Sequence, residues 1–498
     1  MKKLLATLAA LLVLALAAYG VGSIRWRPGT RAGPPRLERV ATGAGELTAG
    51  AAELPIPLHH GLPIGGFARL HWASTGVRDP VHVRALVLSQ PGASVALVSL
   101  EILLVPPALG HAVEQRVADL KLDHVVVAAT HTHSGPGGYW SDPIAQRAAL
   151  GPYDRAFADE LAERAAAAVR DAYAARVPAT LATGFADAQK LARSRGHGLV
   201  DGRLVVLRVA QRDGAPLAEV VLFPAHPTLL GKENELLSGD WPGALARASK
   251  VPRLFFQGAI GDQSARPPHG VNQVERYGRR VASAVDAVAT GARDPAATIA
   301  VATATAVLPP PDLGATPPFL RRLTKNVLYD WFPDRTRVAA VRLGPVTLLA
   351  VPAEPVAEVG RGWRERAGDG AEILSLANDY VGYVETQERM AEREGETVRT
   401  YYGPELESRL GDAVDLAADE LDKKLAAAAQ ARVAEAAAAA EKEKAEKEAA
   451  EKAAASALPA ANPGMAASPM IGPRAPAAAA VAGGQKRTAG APASVQAK

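Results

Sequence analysis

The stretch Val125-Val126-Val127-Ala128-Ala129-Thr130-His131-Thr132-His133-Ser134-Gly135-Pro136-Gly137-Gly138 decides the reading of this chain. Its first five residues are an unbroken apolar run, which predicts a buried strand. Ser-Gly-Pro-Gly-Gly cannot prolong a strand and forces a turn directly after it. Residues i and i+2 of an extended chain share a side, so His131 and His133 are expected to converge on one centre. Two imidazoles at a strand end, backed by a glycine-rich turn, predict a metal or proton-transfer site.

Working outward, similar apolar runs recur at Val81–Leu88, Val95–Ser99, Leu204–Val209, Ala218–Phe223, Arg253–Phe256, Ala339–Leu343 and Val346–Val351. Ala-rich helical stretches alternate with them at Ala108–Lys121, Asp154–Ala175, Gly243–Ser249 and Val271–Ala289. Pro106-Pro107 ahead of the first suits a helix start. This alternation predicts a layered α/β domain over residues 51–423, with a mixed β-sheet and flanking helices. Residues 25–50, rich in Arg, Gly and Pro, read as a linker. Gly403-Pro404 opens a long helix whose Leu406, Leu410, Val414, Leu421 and Leu425 are set to face the body. Residues 424–455 continue as an Ala/Glu/Lys helix with little apolar stripe to bury. The Ala-, Pro- and Gly-rich residues 456–498 are expected to be disordered.

Composition narrows the chemistry. Among 498 residues there is no cysteine, which excludes disulfides, thiolate catalysis and Cys-ligated metals. A net charge of +4 without a concentrated basic face argues against a nucleic-acid partner. All 11 histidines lie at or before His269, so imidazole chemistry belongs to the first part of the chain. At the N-terminus, Lys2-Lys3 precede an uncharged run from Leu4 to Ile24, the pattern of an export signal. At about 20 residues the run also suffices for an uncleaved anchor. Residues 1–24 therefore read as a signal peptide or membrane anchor, with the rest of the chain exported to the periplasm or the extracellular space.

Other predicted strand ends carry polar residues. Leu222-Phe223-Pro224-Ala225 leads into His226, and Leu254-Phe255-Phe256 into a loop containing Asp262 and Ser264. Leu348-Leu349-Ala350-Val351 leads into Glu354, and Leu374–Leu376 into Asn378-Asp379-Tyr380-Val381-Gly382-Tyr383. Sites in α/β folds gather beyond the carboxyl ends of strands. His131, His226 and Glu354 are thereby candidates for a two-histidine, one-carboxylate zinc set. Read singly, His226 also suits a hydrogen-bonded structural histidine, Glu354 a helix start, and Asp262 and Ser264 turn formers.

The residues His131–Gly138 resemble the signature of the neutral/alkaline non-lysosomal ceramidases. The resemblance extends over about residues 51–420, through Ser74–Pro80, His226-Pro227-Thr228, Gly261-Asp262-Gln263-Ser264, Pro352-Ala353-Glu354 and Tyr383 onward. It implies hydrolysis of the ceramide amide with one zinc ion, held by His131, His226, Glu354 and Tyr383. It implies further that His133 contacts substrate or oxyanion, that Arg193 lies near the scissile amide, and that Ser264 matches a serine once considered a nucleophile. Metal-activated water is preferred to serine attack on chemical grounds, since zinc supplies hydroxide near neutral pH.

The chain departs from the family where an Ala/Glu/Lys helix stands in place of a C-terminal β-sandwich. A second family tyrosine after Tyr383 is replaced near Arg393 or Gly395, and the loop at Ser238–Gly243 differs. A lipid or small amide substrate and a membrane surface are the expected partners, with no protein partner. Two other readings stand beside ceramide hydrolysis: a zinc hydrolase of another amide or ester, and a non-catalytic, envelope-anchored binding protein.

Overall fold

The computed structural model describes residues 7, 11–14, 31–196, 198–267, 272–317 and 320–456. Most of the N-terminal run, the whole of residues 457–498 and His269 lie outside the described residues. Among the described residues no helix is long and apolar enough to cross a membrane. The chain divides into two units, residues 1–432 and 433–498. In the second, described residues 433–453 are exposed helix.

The first unit is built on two mixed sheets rather than one. The larger has eight strands, in spatial order Arg253–Phe256, Pro216–Leu222, Arg203–Gln211, Val177–Asp187, Thr48–Pro55, His82–Gln90, Ala93–Leu100 and His124–Ala129. Its two outermost pairs are parallel and the others antiparallel. The smaller sheet runs Arg36–Thr42, Ile299–Val307, Arg335–Leu343, Val346–Ala350 and Ala371–Leu374.

Period-2 alternation explains why the sheets stack. Leu86, Leu88, Val95, Leu97 and Val126 of the larger sheet share one buried cluster with Val301, Val341, Leu348 and Leu374 of the smaller. The alternate residues face outward and are covered by helices. Val83, Val98 and Val127 lie under Arg155–Ala174, whose Asp154 caps the N-terminus by accepting from Phe157 N. Val206, Val221 and Phe255 lie under Asp240–Arg247 and Gln273–Ala287. Ala302, Ala340 and Ile373 lie under Ala357–Ala367 and under Leu406, Leu410, Val414 and Leu421 of the helix Glu405–Ser456. Each layer buries one apolar face against the next, the condition for a stable layered domain.

Of the predicted linker 25–50, the described part, 31–50, is not simply a linker. Arg36–Thr42 pairs antiparallel with Ile299–Val307 as an edge of the smaller sheet, and the strand Thr48–Pro55 begins within the same stretch. Its charged residues Arg36, Glu38 and Arg39 are exposed, as fits an edge strand.

Curvature of the larger sheet makes the site possible. His131 follows one edge strand, and His226 follows the strand six places away in the sheet order. Six strand spacings span roughly 29 Å if the sheet were flat. The two imidazole centroids nevertheless lie 4.8 Å apart. The sheet coils until its edges approach: Ser99 Oγ donates to the Phe255 carbonyl at 2.7 Å, and Gln257 Nε2 to the Thr130 carbonyl at 2.9 Å. Asn378 covers the exposed edge beside His131, donating from its backbone N to the Val127 carbonyl at 2.7 Å. Its side-chain amide donates to the Val125 carbonyl, also at 2.7 Å.

Candidate metal centre

His131, His226 and Glu354 meet at the mouth of the coiled sheet. Glu354 Oε2 lies 3.2 Å from His131 Nε2 and 3.2 Å from His226 Nε2. His131 Nδ1 donates to the Leu103 carbonyl at 2.7 Å, and His226 Nδ1 to the Gln263 carbonyl at 2.8 Å. A carbonyl only accepts, so each Nδ1 carries the proton and each Nε2 presents its lone pair inward. All three side chains are buried.

The inner oxygen of the carboxylate has no hydrogen-bond donor among the described residues. A carboxylate oxygen without a donor thus faces two imidazole nitrogens in a desolvated space, an arrangement that is costly without a cation between them. The donor set, two imidazoles and a carboxylate, fits zinc. Burial alone would push the Glu354 carboxyl up, but the imidazoles of His131 and His226 hold it well below the usual range. Burial and the Arg195 guanidinium push the His226 imidazole down to about 3, so its ring is neutral and able to ligate.

Surrounding residues fix the carboxylate and rings. Tyr380 donates its hydroxyl to Glu354 Oε1 at 2.7 Å, leaving Oε2 for the centre. Tyr383 Oη lies 3.0 Å from His226 Nε2. Burial, and then the Glu354 carboxylate, raise this phenol well above its ordinary value. Arg195 contacts His226 Nε2, and its Nη1 lies 3.4 Å from Tyr383 Oη and 3.2 Å from Glu396 Oε1.

His133 lies beside this set rather than apart from it. Its Nε2 is 3.4 Å from His131 Nε2, and the ligating atoms of His131, His133 and His226 all fall within 4.8 Å of one another. Simple strand alternation does not bring the rings together. The strand ends at Ala129, and His131 takes a left-handed φ of 70°. Such a conformation in a non-glycine residue costs about 1–3 kcal/mol and is held by its surroundings. Here His131 N donates to the Ile102 carbonyl at 3.0 Å. Gly66 backs His133 at φ +119°, and a Cβ there would come within 2.4 Å of His133 Cα. Burial and the neighbouring imidazoles hold His133 well below its ordinary pKa, so it too is neutral.

Two expected residues stand differently. Arg193 is exposed on the short strand Ala192–Ser194, opposite Ser264, and makes none of the contacts at the centre. The arginine that enters is Arg195, because the chain leaves the strand after Ser194 and Arg195 N donates to the Asp262 carbonyl at 2.8 Å. Ser264 is buried and its backbone bridges His226, but its hydroxyl has no histidine within hydrogen-bonding distance among the described residues. Tyr380, Arg195 and Glu396 were not singled out by sequence reasoning. Only Tyr380 had a signal, lying in the same strand-end stretch as Tyr383.

A cavity of about 400 Å³ opens onto His131, His133, Glu354 and Tyr383. Its remaining wall is mainly apolar and aromatic, including Leu103, Leu104, Leu150, Trp140, Trp331 and Phe332. A pocket of this size and character suits an acyl chain held against a polar reacting centre.

Residues 58–250 match the family described as neutral/alkaline non-lysosomal ceramidase, N-terminal. Neutral ceramidase of Pseudomonas aeruginosa is 23% identical over 476 residues, covering 74% of this chain and 69% of that one. Neutral ceramidase A of Dictyostelium discoideum is 27% identical over 136 residues, covering 24% of this chain and only 19% of its relative. The crystal structure of the Pseudomonas aeruginosa neutral ceramidase aligns with a TM-score of 0.66 at 19% identity, covering 76% of this chain and 75% of that one. That likeness establishes a shared fold.

Proposed function

We propose that this chain, whose residues 58–250 match the neutral/alkaline non-lysosomal ceramidase family, is a zinc-dependent hydrolase cleaving the amide bond of ceramide or a related N-acyl lipid. The observation carrying the proposal is Glu354 Oε2, buried, without a donor among the described residues, and 3.2 Å from Nε2 of both His131 and His226. His131, His226 and Glu354 would hold the zinc, with Tyr383 as a fourth ligand. When bound, zinc lowers the pKa of its water to about 7 and polarises the amide carbonyl.

The chain's own residues prepare that chemistry. The Leu103 and Gln263 carbonyls hold the Nδ1 protons of His131 and His226, which keeps both rings oriented. Tyr380 selects the oxygen that Glu354 presents. Arg195 reaches the same side of the site, contacting Tyr383 Oη and the inward Nε2 of His226. His133 lines the cavity beside them as a neutral imidazole, suited to hydrogen-bond the substrate carbonyl or the oxyanion it becomes. Ser264 lacks a histidine base within reach among the described residues and is assigned a structural or substrate-contacting role. The acyl chain would lie along the apolar cavity wall, excluding water from the reacting amide.

The proposal includes export, with residues 1–24 as signal or anchor and the lipid substrate met at a membrane surface. Protease accessibility in intact cells tests that part. For the activity, the purified chain should release sphingosine from ceramide, stop on removal of zinc and resume on its return. Release that persists in fully metal-free protein would overturn the assignment.

A further inference from the structure

Near Tyr383 the cavity is lined by a guanidinium, that of Arg399. Glu396 is clamped between two guanidinium groups: Oε1 lies 3.2 Å from Arg195 Nη1, and Oε2 accepts from Arg399 Nη1. One carboxylate thus faces two guanidinium groups. The clamp is built rather than incidental, since Glu396 N donates to Oε2 of the buried Glu385 at 2.8 Å. Arg195 points inward to Tyr383 and His226. Arg399 lines the cavity itself, with 52% of its side chain exposed and its Cζ 5.9 Å from the Tyr383 ring centroid. Beyond Nη1, its guanidinium N–H groups have no hydrogen-bond partner among the described residues.

The rest of the wall offers little to a neutral hydroxylated head. Among the described residues, no Ser, Thr, Asn or Gln side chain lines the cavity. The hydroxyls of Tyr380 and Tyr402 already donate to Glu354 and to the Pro333 carbonyl. Asp142, the other charged wall residue outside the metal centre and this clamp, accepts from Ala145 N at 2.8 Å as a helix cap. Besides His133, the Tyr401 hydroxyl and the indoles of Trp140 and Trp331, the wall offers the outer edge of one guanidinium, its free cationic group among the described residues, whose fork geometry matches a carboxylate.

We infer that the substrate class is an N-acyl amide carrying a carboxylate on its amine side, an N-acyl amino acid, with Arg399 as the residue that selects it. The inference rests on the proposed amide hydrolysis and names its substrate more narrowly. The acyl chain fills the apolar cavity, and the carboxylate pairs with Arg399 next to Tyr383. Hydrolysis breaks the C–N bond, places the oxygen of water on the acyl carbon and returns its proton to the departing amine. The products are a fatty acid and a free amino acid, with no oxidant or reductant required.

The test uses the full zinc-loaded chain and a matched pair of substrates, N-lauroylglycine and N-lauroylglycinamide, with ceramide alongside. The anionic member should be favoured in kcat/KM by about tenfold or more, the scale of one charge-assisted hydrogen bond. In Arg399→Gln the ratio should collapse towards one, and Arg399→Lys should restore part of it. A ratio within one preparation is insensitive to how much of a variant is folded. Equal rates on the matched pair, or cleavage of ceramide alone, would overturn the inference while leaving amide hydrolysis standing. A preference that Arg399→Gln leaves intact would remove Arg399 from the role. Relief of laurate inhibition in Arg399→Gln, without a change in the ratio, would assign the guanidinium to the product carboxylate and overturn the inference as well. Failure to cleave any of the three would instead defeat the hydrolase reading.

Discussion

Tyr380 donates a 2.7 Å hydrogen bond to Oε1 of Glu354, and thereby determines that Oε2 is the oxygen facing His131 and His226. An outer partner of this kind typically contributes 10–100-fold, by order of magnitude, in metal affinity. Tyr380→Phe keeps the ring and removes only the donor. It should weaken zinc binding by roughly that factor in a competitive chelator titration, with the fold unchanged. Unaltered affinity would mean that Glu354 is oriented by its backbone alone.

The two neighbouring arginines make opposite predictions. Arg195 braces Tyr383 and His226, whereas Arg193 is exposed. Arg195→Ala should lower kcat by about tenfold or more, since it removes charge-assisted contacts from a buried site. Arg193→Ala should remain within about twofold, as expected of a surface substitution. Steady-state kinetics on ceramide with both variants checks this, and the reverse ranking would restore Arg193 to the site.

Ser264 distinguishes activated water from serine attack. Its hydroxyl has no histidine base within reach among the described residues, so Ser264→Ala should keep most of its activity and all of its zinc. Abolished turnover in a zinc-replete Ser264→Ala protein would favour a covalent mechanism.

A buried histidine away from the site predicts acid sensitivity. Burial, together with Arg337 and Arg39, pushes His124 down to about 3 from its ordinary 6.5. The unfolded chain takes up this proton first as pH falls, so the stability is present above pH 6.5 and lost towards pH 3. The slope from this one residue approaches about 1.4 kcal/mol per pH unit within that window. His124→Leu should flatten the denaturation free energy below pH 6.5 relative to wild type by that slope. Parallel curves would show that His124 is already charged in the folded protein.

Much of the layered fold was legible because several of its strands carry runs of large apolar residues, as in Val125–Val127 and Leu254–Phe256. Ile299–Val307, Ile-Ala-Val-Ala-Thr-Ala-Thr-Ala-Val, was harder, because four of its nine residues are alanine, which has little preference for a pleated surface. That two sheets exist, and that one coils to bring His131 and His226 together, depends on pairings between distant segments that no local pattern encodes. The metal set was visible as polar residues at strand ends. The left-handed turn at His131 and the entry of Arg195 in place of Arg193 were not, since both follow from how the backbone leaves its strand.

Zinc stoichiometry, measured by elemental analysis of the purified full chain and of His226→Ala, tests the central claim most directly. The account predicts about one zinc per active chain, with both the metal and ceramide hydrolysis lost in the variant. A fully active wild-type chain without zinc, or a His226→Ala chain that binds zinc as tightly as wild type, would contradict it.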